Sequence, residues 1–468
     1  MNKRVLVLIA AFTCLVGGCT MAPEYTRPSA PIPLQWPKGE AYQDTAEPGA
    51  LPVQALSRQT FFGNEPLLKL IDLALENNRD LRLAALNVEK ARALYGIQRA
   101  ELFPALHATG AGAKEQRSLD LISPGEPRTV EQYNIGLGMA AWEIDFFGRI
   151  RSLEDQALEE YLATDAARQS VKIALVSQVA TAYLTLAADR ENLNLARSTL
   201  DSQQKAHDLI QRQYEVGIAT ELDLRRAEIP VEIARRDVAR FTQSVALTQN
   251  ALNLLAGVTV PENLLPKDLK TVQEPGTVLA VLSSDALLFR PDIMAAEHRL
   301  KSAYALIGAA RASFFPRISL TTGIGTASDA LSGLFSSGTG TWNFVPQVAL
   351  PIFDARVRAA YRVSKAQRDI AVTQYEKTIQ TAFREVADAL AVQTMIDRQI
   401  AAQETLTQAV AKTYFLAKKR YENGIDSYLS VLDAQRSLYT QQQVFNTLLL
   451  QKSANQVRLY AVLGGGDE

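Results

Sequence analysis

Residues 91–104 read ARALYGIQRAELFP, and residues 303–316 read AYALIGAARASFFP. Ala91, Ala93, Leu94, Gly96, Arg99, Ala100, Phe103 and Pro104 of the first stretch recur as Ala303, Ala305, Leu306, Gly308, Arg311, Ala312, Phe315 and Pro316, each pair 212 residues apart. Upstream, Asp80 and Ala84 recur at the same offset as Asp292 and Ala296. Downstream, Arg149, Val179, Ala180, Ala182, Tyr214, Gly217, Ile218, Leu222 and Ala227 recur as Arg356, Val386, Ala387, Ala389, Tyr421, Gly424, Ile425, Leu429 and Ala434, now 207 residues apart. A fixed period over most of a chain means two copies of one structural unit. Gly, Pro, Tyr and Arg match as well as Ala, so helical composition alone does not explain the likeness. The offset drops between Pro104 and Arg149, so the second copy is about five residues shorter there, a difference expected in a loop.

The copies span 61–258 and 289–466, joined by a linker at 259–288. Each reads helix, β-hairpin, long helix, returning helix. In the first copy a helix starts near Glu65, breaks around Asn77-Asn78 and ends at Phe103-Pro104, because Pro cannot continue it. The hairpins are expected at 103–145 and 315–353. Tyr133, Ile135, Leu137, Met139 and Ala141 alternate with Asn134, Gly136, Gly138 and Ala140, and Ile318, Leu320 and Thr322 alternate with Ser319, Thr321 and Gly323. Trp342, Phe344, Pro346, Val348 and Leu350 continue the period-two pattern. Strands of roughly ten residues are long enough to cross a membrane when tilted.

The long helices, 150–216 and 357–423, contain no internal Gly or Pro. At 1.5 Å per residue each is on the order of 100 Å long. Leu175, Val179, Ala182, Leu186, Asp189, Leu193, Ala196 and Leu200 step by four and three, as do Val372, Tyr375, Ile379, Ala382, Val386, Ala389, Gln393, Ile396 and Ile400. Both helices end at Tyr-Glu-x-Gly-Ile, where Gly217 or Gly424 suits a left-handed cap. The returning helices follow at 220–257 and 427–463, with Thr220 and Ser427 as N-caps and a kink expected at Pro230.

Residues 1–18 carry the features of a secretory signal: Lys3 and Arg4, an apolar stretch from Val5 to Val16, then Val16-Gly17-Gly18-Cys19. Small residues before a Cys form the bacterial lipobox pattern, which makes Cys19 the acylated first residue of the mature chain, carrying palmitate or a similar chain. Residues 19–60 then form an extended strap rich in Pro. Cys14 lies in the signal, so no disulfide is available and packing alone holds the fold. A net charge of −1 gives no sign of nucleic acid as a partner. His107, His207 and His298 are scattered, so neither a metal site nor a cofactor is expected. Gly323-Ile324-Gly325 has no following Lys to suit a phosphate loop. No catalytic constellation appears, and no apolar run after residue 19 suggests a membrane helix.

Four strands cannot close a barrel, since membrane barrels start at eight, and an open sheet would leave unsatisfied edges in lipid. The chain must pool strands with copies of itself, eight from a dimer or twelve from a trimer, with the long helices continuing the wall as a tube. The alternative class, a structural lipoprotein with coiled-coil arms, explains the helices and not the hairpins.

Several segments carry a family resemblance: the lipobox followed by Pro23-Glu24-Tyr25, ALENNRDLR at 74–82, WEIDFFGR at 142–149, RPDIMAAEH at 290–298, IGAARASFFPRISL at 307–320 and LDAQRSLY at 432–439. The chain closely resembles the TolC-type outer-membrane channels, and within them the lipidated OprM-like branch of tripartite multidrug efflux pumps. The resemblance implies an α+β membrane protein: a homotrimer with a twelve-stranded β-barrel, a twelve-helix periplasmic tunnel and a mixed equatorial collar. It implies an outer-membrane location, a periplasmic adaptor and an inner-membrane proton-driven transporter as partners, and antibiotics and other toxic small molecules as cargo. Metal ions or a secreted protein are the alternative cargoes. The resemblance also places an iris-like gate at the periplasmic end, on the last helix, at Leu429 and Asp433; the first copy has Leu222 and Arg226 at the matching positions. The helix tips, Gly217, Ile218, Ala219 and Thr220 with Gly424, Ile425, Asp426 and Ser427, are the expected adaptor contacts.

Overall fold

A computed structural model describes residues 20–42, 57–276 and 284–465. Cys19, the signal segment 1–18 and parts of the strap and linker lie outside the described residues. The ordered elements are α1 (Arg58–Phe62), α2 (Glu65–Asn77), α3 (Arg79–Ala100), β1 (His107–Gln116), β2 (Thr129–Glu143), α4 (Arg149–Glu215), α5 (Glu221–Ala256), α6 (Pro291–Ala312), β3 (Arg317–Ser328), β4 (Gly340–Ala349), α7 (Ala355–Glu422) and α8 (Tyr428–Val462), with short 3-10 turns between. Two compact units divide them: Met1–Ser29 with Asn87–Asp165 and Ala295–Glu376, and Ala30–Leu86 with Ala166–Met294 and Lys377–Glu468.

In the first unit the strands form one antiparallel sheet in the order β1-β2-β3-β4. Every residue of β1 and of β4 is exposed, and among the described residues each of these strands leaves one edge unpaired. The pairings locate the length difference between the copies. Lys114 pairs with Glu131 and Thr326 with Gly340, so the offset falls from 212 to 209 across the hairpin loop. It falls again to 207 between Gly138 and Arg149, where β2 carries a bulge between Met139 and Trp142 and Ala141 takes a φ of 51°. The loop thus accounts for three of the five residues, the bulge, which adds one residue to β2 and bends it, accounts for a fourth, and the fifth falls between the bulge and Arg149. The Ala141 amide donates to Thr321 Oγ1 at 2.9 Å, which satisfies the group that the bulge removes from the ladder.

The repeats are not used alike. α6 buries Ile293, Ala296, Leu300, Ile307 and Ala312, whereas α3 buries nothing. A Cβ on Gly308 would lie 2.6 Å from Ser152 Oγ and 2.7 Å from the Ala22 nitrogen, so only Gly allows α4 and the strap to pass. Its counterpart Gly96 has nothing within 4 Å. The strap is fixed at Glu297, whose carboxylate accepts from Arg27 at 2.8 Å and from the Tyr25 hydroxyl at 3.1 Å.

In the second unit the core gathers Phe61, Phe62, Leu70, Ile71, Val179, Leu186 and Val457, with Phe61 stacked on Tyr460 at 4.8 Å. Every residue of the two heptad seams, from Leu175 to Leu200 and from Val372 to Ile400, is buried or half-buried, Val372 and Tyr375 belonging to the first unit and the rest to the second. The composition of α4 would let part of it cross a membrane, but half of that window is buried inside the chain. Between α2 and α3, Asn78 makes the break: its Oδ1 accepts from the Leu81 amide and its Nδ2 donates to the Leu255 carbonyl, both at 2.9 Å. It caps the new helix and satisfies a carbonyl near the end of α5. α5 runs unbroken through Pro230, which denies the Arg226 carbonyl its usual donor.

Candidate functional site

Both long helices end in the same turn. The Gly217 amide donates to Tyr214 O at 2.9 Å and the Ile218 amide to Gln213 O at 2.7 Å; Gly424 and Ile425 repeat this with Tyr421 O and Arg420 O, both at 2.9 Å. This pair of reverse bonds requires a left-handed residue at the Gly, and the φ values are 77° and 70°. The glycines face open space, and Ile218 and Ile425 are 77% and 62% exposed. Beyond the first turn, Thr220 and Asp223 form a reciprocal cap, and hydrogen bonds from Thr220 hold the Asp223 carboxyl below its usual range. Beyond the second turn Ser427 makes no side-chain cap. There Asp426 takes both arms of Arg420 at 2.6 and 3.0 Å, which lowers its pKa. The Tyr421 hydroxyl donates to Gln213 Oε1 at 3.3 Å, linking the two tips.

One turn past the second tip, Leu429 is 41% exposed and Asp433 is exposed. Asp433 accepts from Arg436 at 3.1 Å, so its charge is partly matched within α8. Leu429 and Asp433 line a cavity between α4, α5 and α8, together with Arg226, the first-copy counterpart of Asp433. The sequence reading missed the neighbouring Asp237. This carboxylate is buried on α5, accepts from the Tyr439 hydroxyl of α8 at 3.1 Å, and is flanked by Arg236 at 2.9 Å and Arg240 at 3.7 Å. Its signal was an acidic residue three positions after Ala234 on the apolar stripe of α5. Among the described residues no cluster of three His, Cys, Asp or Glu side chains is placed to hold a metal. His298 instead contacts Glu159 at 2.6 Å.

An open four-stranded sheet with long helices leading into and out of it is the protomer of a pooled membrane barrel, a channel and not a catalyst. The chain belongs to the outer membrane efflux protein family, which it matches over residues 70–258 and 282–465. It is 46% identical over 453 residues to the solvent efflux pump outer membrane protein SrpC of Pseudomonas putida, covering 97% of this chain and 96% of that one. It is also 46% identical over 468 residues to the antibiotic efflux pump outer membrane protein ArpC of Pseudomonas putida, covering 100% of this chain and 96% of that one. The open state of the Neisseria gonorrhoeae MtrE outer membrane channel superposes with a TM-score of 0.85 at 35% identity, over 96% of this chain and 98% of that one. The chain is thus a non-enzymatic efflux channel of the bacterial outer membrane, with the TolC-type fold.

Proposed function

We propose that the chain works as a homotrimer that passes antibiotics and organic solvents out of the periplasm, taking them from a proton-driven inner-membrane transporter through a periplasmic adaptor. The observation that carries this reading is the unpaired edge on each of β1 and β4 in a chain of this family. Two free edges cannot stay in lipid, and three copies give the twelve strands the family implies. The bare flank of α3, with Leu94 and Ile97 53% and 65% exposed, is the matching surface for a second copy. Cys19 carries the lipid, a second hold on the membrane. The tips at 217–220 and 424–427 meet the adaptor, and Leu429 with Asp433 narrows the periplasmic end.

Native mass measurement of the purified protein should give a trimer, and a stable monomer that still conducts overturns the reading. Deleting the gene should raise intracellular accumulation of antibiotics and of toluene, and complementation should reverse it; unchanged accumulation of both would point to another cargo. Mass spectrometry of the mature N-terminus tests the lipid on Cys19.

A further inference from the structure

Gly96 is a glycine that the chain by itself does not require. It lies inside α3, it is not at positive φ, and a Cβ added to it would meet nothing within 4 Å. Glycine inside a helix is destabilising relative to alanine, so its small size serves a close neighbour from outside the chain. The repeat counterpart shows what such a neighbour is. A Cβ on Gly308 would lie 2.6 Å from Ser152 Oγ on α4, and the same two helices meet again where His298 contacts Glu159 at 2.6 Å. The sheet brings them together: α4 follows β2, α6 precedes β3, and β2 pairs with β3.

The remaining pair, α3 before β1 and α7 after β4, flanks the two strand edges that stay unpaired among the described residues. Both helices are bare where their counterparts are packed. Ala305 and Ala309 of α6 are buried, whereas Ala93 and Ile97 of α3 are exposed. Ser152 and Ala163 of α4 are fully buried, whereas Ala359 and Ile370 of α7, 207 residues on, are exposed. We propose that α7 of a second copy crosses α3 at Gly96, with Ala359 of the partner subunit in the place that Ser152 takes against Gly308. The occupant is a second copy because pairing β4 with a neighbour's β1 brings α7 beside α3 as the β2–β3 pairing brings α4 beside α6. The contact is also less polar than the internal one, since His298 and Glu159 correspond to Leu86 and Ala366. The proposal rests on the reading above that copies pool their strands, and it adds the helices and the residues at which they touch.

The test uses the full chain purified in detergent. Leu is a good helix former and one copy has room for it, so Gly96→Leu should keep its helical circular dichroism. Overpacking at three equivalent contacts should nevertheless cut the trimer yield, read by native mass measurement, roughly tenfold or more. Gly96→Cys with Ala359→Cys should form an intersubunit disulfide and covalent trimers on a denaturing gel. Gln98→Cys with Ala359→Cys, on the other side of α3, should form few. Trimers from Gly96→Leu at the wild-type yield, or equal cross-linking by the two Cys pairs, overturn the proposal. If Gly96→Leu does not reach the membrane, the Cys pairs decide alone. A wild-type monomer would strike the pooled-strand reading itself, whereas a wild-type trimer without the Gly96–Ala359 link strikes only this contact.

Discussion

The Tyr439 hydroxyl donates to the Asp237 carboxylate at 3.1 Å and so ties the last helix to the first returning helix. Burial, followed by the nearby Asp237 charge, pushes the Tyr439 phenol up to about 12, so it remains a proton donor at any pH the periplasm reaches. Tyr439→Phe removes one bond to a charged acceptor, a loss of about 2 kcal/mol. Arg236 still faces the carboxylate, so the fold should survive. The expected result is an intact oligomer with a lower unfolding midpoint and higher conductance in planar bilayers. Unaltered conductance would mean that the bond only supports packing.

Asp433 and Arg436 are both well exposed, with side-chain accessibilities of 59% and 73%, so their ion pair adds little to stability. Its effect should instead be on ions. Arg436→Ala frees the Asp433 carboxylate and should increase cation selectivity without a measurable change in unfolding. Asp433→Ala combined with Leu429→Ala should weaken cation selectivity and raise conductance. If neither variant moves selectivity or conductance, the constriction lies elsewhere.

At the tips, backbone conformation and partner contact can be separated. Gly217 and Gly424 sit at positive φ in open space, so a substitution meets strain and no clash. Asn tolerates the left-handed region, whereas a branched or bulky residue loses about 1–2 kcal/mol. Gly424→Asn should retain efflux. Gly424→Trp should assemble and reach the membrane yet lose adaptor cross-linking. Normal cross-linking in the Trp variant would reduce Gly424 to a helix cap.

The periodic features of this chain were legible in its sequence. Heptads, alternation and duplication are local or fixed-offset patterns, and they yield the helices, the hairpins and the turns at Gly217 and Gly424. What escaped has no period. The bulge at Ala141 lies between Met139 and Trp142 without a turn signal. The pairing of Asp237 with Tyr439 joins residues 202 apart on two helices. The space between α4, α5 and α8 beside Leu429 is an absence of side-chain volume, which only packed helices reveal.

Glu297 is the pin of the strap, and it predicts a pH dependence. Burial alone would raise its carboxyl, but the hydrogen bond from Arg27 and the charge of Lys301 outweigh this and hold it below the reference value of 4.5. A carboxyl lowered in the folded state contributes stability above its unfolded value, lost as pH falls through the folded one. Wild type should exceed Glu297→Gln by about 2 kcal/mol at neutral pH, and the gap should close well below pH 4.5. A gap that persists at low pH would assign the effect to shape, not charge.

The internal duplication also fixes how one copy should meet the next. Ile135 of β2 pairs with Thr326 of β3. Thr326 is the repeat counterpart of Lys114, 212 residues apart. Phe344 is the counterpart of Ile135, because Thr322 pairs with Phe344 as Gly110 pairs with Ile135. If the contact between copies repeats the β2–β3 contact, Phe344 of one protomer lies opposite Lys114 of its neighbour. Register matters because a slip of one residue turns every side chain to the other face. Phe344→Cys with Lys114→Cys should therefore form an intersubunit disulfide that yields covalent trimers on a denaturing gel. Phe344→Cys with Ala113→Cys, one residue out of register, should form few. Equal cross-linking of both pairs, or none from the first, would break the quasi-sixfold relation that the duplication implies.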